Sequence, residues 1–278
     1  MTGDAGLPPL KAGVELAPGY RVLEHLHRSR SYDVYGVWSA ERCCRCIAKT
    51  PAPDMLEKRS ARNRLLREGR LLGRLTHPHF VRLYEALKEP QPVLILETLT
   101  GETLAHLIHR RGRRLPLREI AYLGLHLCSA MHYLHRHGLL HLDLKPSNII
   151  SQPPLAKVID LSIARPPGRG RSGVGTVPYM SPEQARGGHL TAAADVWGIG
   201  VVLYEAATGR RAFPGSTGSD TEHEARYEQL ERRADPVREH RRVPPAFAAA
   251  VDRCLEPAPA DRPAVGELFA QLDRLLKS

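Results

Sequence analysis

The stretches 20–26, 34–39 and 45–50 read as strands joined by short turns, and over 44–48 inward- and outward-facing positions alternate. A period of two is what a half-buried strand requires, so the chain is expected to open with three antiparallel strands. In the third, Cys44, Cys46 and Ala48 share one face. The period then lengthens. Over 54–75, Leu65, Leu66, Leu72 and Leu75 fall at helical spacing, and His77-Pro78 ends the run. Two further strands are expected at 80–87 and 93–96. Beyond Gly101 the pattern is helical at 104–109 and 117–137, where Ile120, Leu123, Leu127, Met131 and Leu134 form one stripe and Gly138 supplies the stop. A polar stretch, 213–243, predicts a long loop with one exposed helix at 222–232, and a last helix is expected at 265–276. Residues 1–18, with Pro8, Pro9 and Pro18, show no periodicity and read as a flexible lead-in, ordered structure starting near Tyr20. Strands first and helices afterwards indicate an α+β protein.

Composition narrows the function classes. The 278 residues carry a net charge of +10, yet the 40 basic residues are scattered and aromatics make up only 5%. Nucleic-acid binding, which needs a basic patch with stacking side chains, is not expected. No apolar run approaches the ~18 residues of a membrane helix, and no signal pattern opens the chain, so no membrane partner and a cytoplasmic location are expected. Five cysteines are an odd number. Cys43, Cys44 and Cys46 lack a second pair at metal-binding spacing, which favours core packing over a metal site. His126, His132, His135 and His137 converge with no carboxylate in the sequence pattern and read as solvated or capping residues.

Candidate chemistry is concentrated in HLDLKPSN at 141–148, with Asp160 twelve residues beyond Asn148. Singly, Asp and Asn are ordinary turn residues. Together, Asp143, Lys145, Asn148 and Asp160 make a set of charged and amide groups that is costly to desolvate without a ligand. Phosphoryl transfer uses such a set: a carboxylate to take a hydroxyl proton, an ammonium to offset developing charge, and an amide and a carboxylate for magnesium.

These residues resemble the HRDLKxxN and DFG motifs of the eukaryotic-type (Hanks-type) serine/threonine protein kinases, and the SPEQARG ending at 181–187 is similar to the bacterial form. The resemblance extends over about residues 20 to 276 and implies a two-lobed fold: a small antiparallel β lobe with one major helix (about 19–97) and a larger, mainly helical lobe (about 101–278). It implies ATP and Mg2+ as cofactors, with Mn2+ as an alternative, and a protein substrate bearing a Ser or Thr hydroxyl. Asp143, Lys145 and Thr176 then become catalytic candidates, Asn148 and Asp160 metal ligands, and Lys49 with Glu68 the phosphate-positioning pair. Val34, Ala48, Leu96 and Ile150 would enclose the adenine, and the backbone of Glu97 and Leu99 would bind its edge. Glu183 with Arg262, and Asp195 beneath the catalytic loop, take scaffold roles.

Departures from the family pattern are specific. His27, Ser29 and Tyr32 stand where the glycine-rich loop has its three glycines, which blocks close backbone approach to phosphates. Arg28 and Arg30 are candidates to substitute side-chain charge there. Leu161 and Ser162 replace the Phe and Gly of DFG, and Leu142 replaces the Arg of HRD, so phosphorylation of the following loop is not expected to be the on-switch. Ser172, among Arg165, Arg169 and Arg171, is the candidate for self-phosphorylation. The competing function is a pseudokinase that binds nucleotide or a partner without turnover.

Overall fold

The computed structural model of the protein describes residues 7–111, 114–215 and 227–277. It divides into two compact units. One comprises the described residues up to Thr76 with residues 80–100 and Asp160–Ser162; the other comprises His77–His79, Gly101–Ile159 and the remainder.

In the first unit, strands β1 (Glu15–Ala17), β2 (Tyr20–Arg28), β3 (Tyr32–Ser39) and β4 (Cys44–Pro51) precede helix α1 (Arg59–Leu72), with β5 (Leu83–Leu87) and β6 (Val93–Glu97) after it. They form one antiparallel sheet in the order β1-β2-β3-β4-β6-β5. One face of the sheet buries Tyr20, Val22, Tyr35, Val37, Cys46, Ala48, Val93 and Ile95. Cys46 is fully enclosed there, as its alternation predicts. Leu16 and Ala17 of β1 join this core, so order begins within the stretch read as a lead-in. A three-residue strand is too short to show a period, and its pairing with β2 supplies what propensity does not. Helix α1 starts later than the expected 54, behind a 3-10 turn at Pro53–Met55. Its Gly69 lies so close to the sheet that an added Cβ would fall 2.6 Å from Leu94 Cδ2.

The second unit holds β7 (Glu102–Thr103), α2 (Leu104–Arg111), α3 (Leu117–Arg136), β8 (Ile149–Gln152), β9 (Leu155–Val158), β10 (Gly168–Arg169), α4 (Pro182–Arg186), β11 (His189–Leu190) and α5 (Ala192–Thr208). It continues with α6 (Glu228–Glu231), α7 (Val237–His240), α8 (Pro245–Cys254) and α9 (Val265–Lys277). Helix α5 is buried on nearly every side, the signature of a core helix. Against it pack α3, whose predicted stripe is buried, and α8. Trp197 of α5 stacks on Phe213 with ring centroids 5.3 Å apart. Of the helix expected at 222–232, α6 supplies the C-terminal part, and 216–226 lie outside the described residues. Among the described residues no helix is long and apolar enough to cross a membrane.

Candidate active site

Each unit assembles a cluster of ionisable groups. In the first, Lys49 projects from β4 and donates from Nζ to both carboxylate oxygens of Glu68 on α1, each at 2.9 Å. Asp160 Oδ2 lies 3.4 Å from the same ammonium. Burial works against the ammonium charge, but the two carboxylates prevail and hold Lys49 protonated. Burial also lifts Glu68, up to about 7, against the opposing pull of Lys49. Asp160 Oδ1 accepts the Ser162 backbone N–H at 2.7 Å, which fixes the carboxylate within its turn.

Strand register decides which neighbours share the face of Lys49. Val34 is its direct partner on β3, and Ile47 shares the face by the two-residue period. Leu96 pairs with Ile47 and belongs to that face too. Ala48 does not. It pairs with Tyr35 and is fully buried in the opposite core, so the face that carries Lys49 holds Ile47 and not Ala48. Strand alternation contains this signal; matching the motif by residue type overlooked it. Glu97 ends β6, its N–H donating to Arg82 O at 3.0 Å and its Oε1 accepting from Arg82 N–H. Leu99 follows, half-buried.

The turn that replaces the glycine-rich loop is closed on itself. Ser29 N–H donates to Tyr32 O at 2.8 Å, and Tyr32 N–H donates to Ser29 Oγ at 3.1 Å. Arg28 is committed within its own hairpin, in a fork to Asp33 at 2.7 and 2.6 Å with a third bond to Leu7 O. It is therefore not a substitute for phosphate-binding amides. Asp33 is fully buried and also meets His25 Nε2 and the Tyr35 hydroxyl. Tyr32, at the third glycine position, points inward: its hydroxyl donates to Ala61 O of α1 at 3.1 Å and its ring centroid lies 5.2 Å from Lys49 Nζ.

In the second unit, Asp143 is the centre. Thr176 Oγ1 donates to Asp143 Oδ1 at 2.8 Å, and Lys145 Nζ lies 2.9 Å from Oδ2 while donating to Thr176 Oγ1 at 2.7 Å. Asn148 Nδ2 donates to the Asp143 carbonyl at 3.0 Å and to Oδ2 at 3.1 Å. That orientation leaves the amide oxygen as the atom for a cation. Ile150, half-buried on β8, pairs with Thr103 and Lys157.

The loop is shaped from beneath. Asp195 of α5 accepts the N–H groups of His141 and Leu142 at 2.9 and 2.8 Å. His135 Nε2 bonds the same carboxylate at 2.8 Å, a role not visible in the spacing of the histidines. His126 is half-buried; it stacks on His79 with centroids 4.3 Å apart, and burial lowers its pKa to about 4. Leu142 takes a left-handed backbone, φ 67°, rare for a branched residue. Its side chain fills an apolar cluster with Leu140, Leu190 and Ala194. Gln184 Nε2 ties Leu142 O to Val174 O at 2.7 and 3.0 Å. Ser172 Oγ donates to Ala185 O at 2.5 Å. Arg262 grips Glu183 through two bonds, 2.7 and 2.9 Å, with both side chains buried.

A strand-rich unit built around a Lys-Glu-Asp cluster and a helical unit built around an Asp-Lys-Asn-Thr cluster define a protein-kinase-like domain. The crystal structure of the kinase domain of Mycobacterium tuberculosis PknI, in a mutant form, superposes with a TM-score of 0.74 at 22% identity, over 96% of this chain and 99% of that one. This likeness establishes the fold. The protein kinase domain family matches residues 20–272, and the chain belongs to it. The serine/threonine-protein kinase PknB of Mycolicibacterium smegmatis is 35% identical over 229 residues, 76% of this chain and 36% of that protein. The DNA damage-responsive serine/threonine-protein kinase RqkA of Deinococcus radiodurans is 33% identical over 261 residues, 89% of this chain and 37% of that protein. The chain thus spans a little over a third of the length of these relatives.

Proposed function

We propose that the chain is an ATP-dependent serine/threonine protein kinase in which Asp143 is the catalytic base. The observation that carries this reading is the hydroxyl of Thr176, which donates to Asp143 Oδ1 while accepting from Lys145. An acceptor Ser or Thr hydroxyl presented to Oδ1 meets the same surroundings and gives its proton to that atom. Lys145 offsets negative charge as the hydroxyl oxygen becomes nucleophilic. Bound MgATP supplies the γ-phosphoryl group and its counter-charge. Asp160 and the Asn148 amide offer hard oxygen donors, the kind Mg2+ or Mn2+ takes, and Lys49, aimed by Glu68, binds phosphate oxygens.

A second reading, a nucleotide- or partner-binding module without turnover, is favoured by Tyr32, whose ring lies against Lys49. Incubation with labelled ATP, Mg2+ and both an acidic and a basic generic protein separates the two. Label above an Asp143→Asn control supports the kinase. Thermal stabilisation by ATP with label no higher than the control supports the second reading, and neither response defeats both.

A further inference from the structure

Beside the segment that follows Thr176, the helical unit contains a cavity of about 700 Å³ lined by Ile108, His109, Arg114, Glu205, Arg210 and Arg211, among others. We infer that this cavity receives an acidic side chain of the acceptor protein, an aspartate or glutamate within about three residues of the hydroxyl to be phosphorylated. The inference rests on the kinase reading for its placement next to the acceptor.

Position comes first. Thr176, bonded to Asp143, is three residues before Tyr179, and three residues of chain span at most ~11 Å. The Tyr179 hydroxyl donates to Glu205 Oε2 at 2.9 Å, and the Arg211 guanidinium lies 5.8 Å from the centroid of the Tyr179 ring. One wall of the cavity is therefore tied to the segment that touches the catalytic carboxylate. An extended acceptor, at a similar rise per residue, brings side chains two or three positions from its hydroxyl within reach.

Charge decides the occupant. Among the described lining residues, three guanidinium groups and an imidazole face one carboxylate, Glu205, which is 3% exposed and already engaged by Tyr179. Among the described residues, neither Arg114 nor Arg210 has a carboxylate at ion-pair distance. The crowding extends to Arg241, next to the cavity wall. Its Nη1 donates to Leu115 O and Ala207 O, and burial and then the charge of Arg114 lower its pKa. A cationic guest would add to this excess for the sake of one buried, engaged carboxylate. An anionic guest meets the guanidinium groups of Arg114 and Arg210, which present planar forks suited to carboxylates. Ile108 offers an apolar surface for the methylene stem.

The test uses the full chain and fluorescent peptides with one Ser acceptor, in which a single Glu, Gln or Lys is walked through about four positions on either side. Binding is read by anisotropy and phosphorylation by label transfer. We expect Glu at one position to tighten binding about ten-fold over Gln, and an Arg114→Glu/Arg210→Glu variant, shown folded by its melting curve, to lose that preference or turn it toward Lys. Equal binding of Glu and Gln at every position, a preference for Lys in the unmodified chain, or an acid preference that survives the double variant overturns the inference. Acid-selective binding without label transfer upholds the site and defeats turnover. Label transfer without selectivity does the reverse.

Discussion

Tyr32 offers a quantitative test of how nucleotide reaches Lys49. Tyr32 lies on the face of β3 that carries Val34, the partner of Lys49, and its ring centroid is 5.2 Å from Lys49 Nζ. A phosphate that contacts the ammonium from this side displaces the ring. Displacement breaks the Tyr32 to Ala61 hydrogen bond, worth ~1 kcal/mol net, and a desolvated cation-π contact, worth roughly 1–2 kcal/mol. The sum, about 2–3 kcal/mol, corresponds to about a thirty- to hundred-and-fifty-fold penalty in affinity. Tyr32→Gly removes both terms and restores bare backbone, so it is expected to bind MgATP more tightly by about that factor. Tyr32→Phe keeps the ring and loses only the hydrogen bond, so a gain of about five-fold is expected. Titration calorimetry with MgATP, well below each variant's melting temperature, measures both. An unchanged or weaker affinity in Tyr32→Gly would refute the idea that the ring competes with phosphate, as would a Tyr32→Phe gain as large as that of Gly.

Other expectations follow from single contacts. Arg262→Ala strands the buried Glu183 carboxylate and is expected to cost about 3–5 kcal/mol in urea unfolding, whereas a surface control such as Arg274→Ala stays within about 0.5 kcal/mol. Ile47→Ala is expected to weaken MgATP about ten-fold, while Ala48→Leu overpacks the sheet core at a cost of about 1–3 kcal/mol and leaves affinity unchanged. His126 has a folded pKa of about 4 against an ordinary 6.5, so the folded state holds it neutral. Its stabilising contribution is complete above pH 6.5 and is lost as pH falls toward 4, a change of about 3 kcal/mol. Melting temperatures between pH 7 and 4.5 should show this fall, and His126→Phe should flatten it.

What could be read beforehand follows physical lines. Long periodic runs such as α3 and α9 were legible because burial imposes the period directly on the sequence. Lys49 and Glu68, nineteen residues apart, were legible only through the family resemblance, because a lysine at a strand end and a glutamate on an amphipathic helix look the same in sequence whether solvated or paired. Ala48 was misplaced because residue type was matched where the pleat decides orientation. Strand β1 and the bond from His135 to Asp195 depend on partners elsewhere in the chain, and local pattern carries no trace of them. The inward turn of Tyr32 lies between these cases: its face is set by the pleat, but its anchor, the carbonyl of Ala61, is tertiary.

The short bond from Ser172 to Ala185 gives modification of this loop a direction. A serine hydroxyl can lend a proton to that carbonyl; its phosphate ester has none at the same oxygen and brings about two negative charges toward a lone pair. Gly187 packs so closely on the Ser172 backbone that an added Cβ would lie 2.8 Å from its nitrogen, which leaves little slack for the loop to yield in place. Esterification of this serine would therefore unfasten the segment from α4 rather than lock it down.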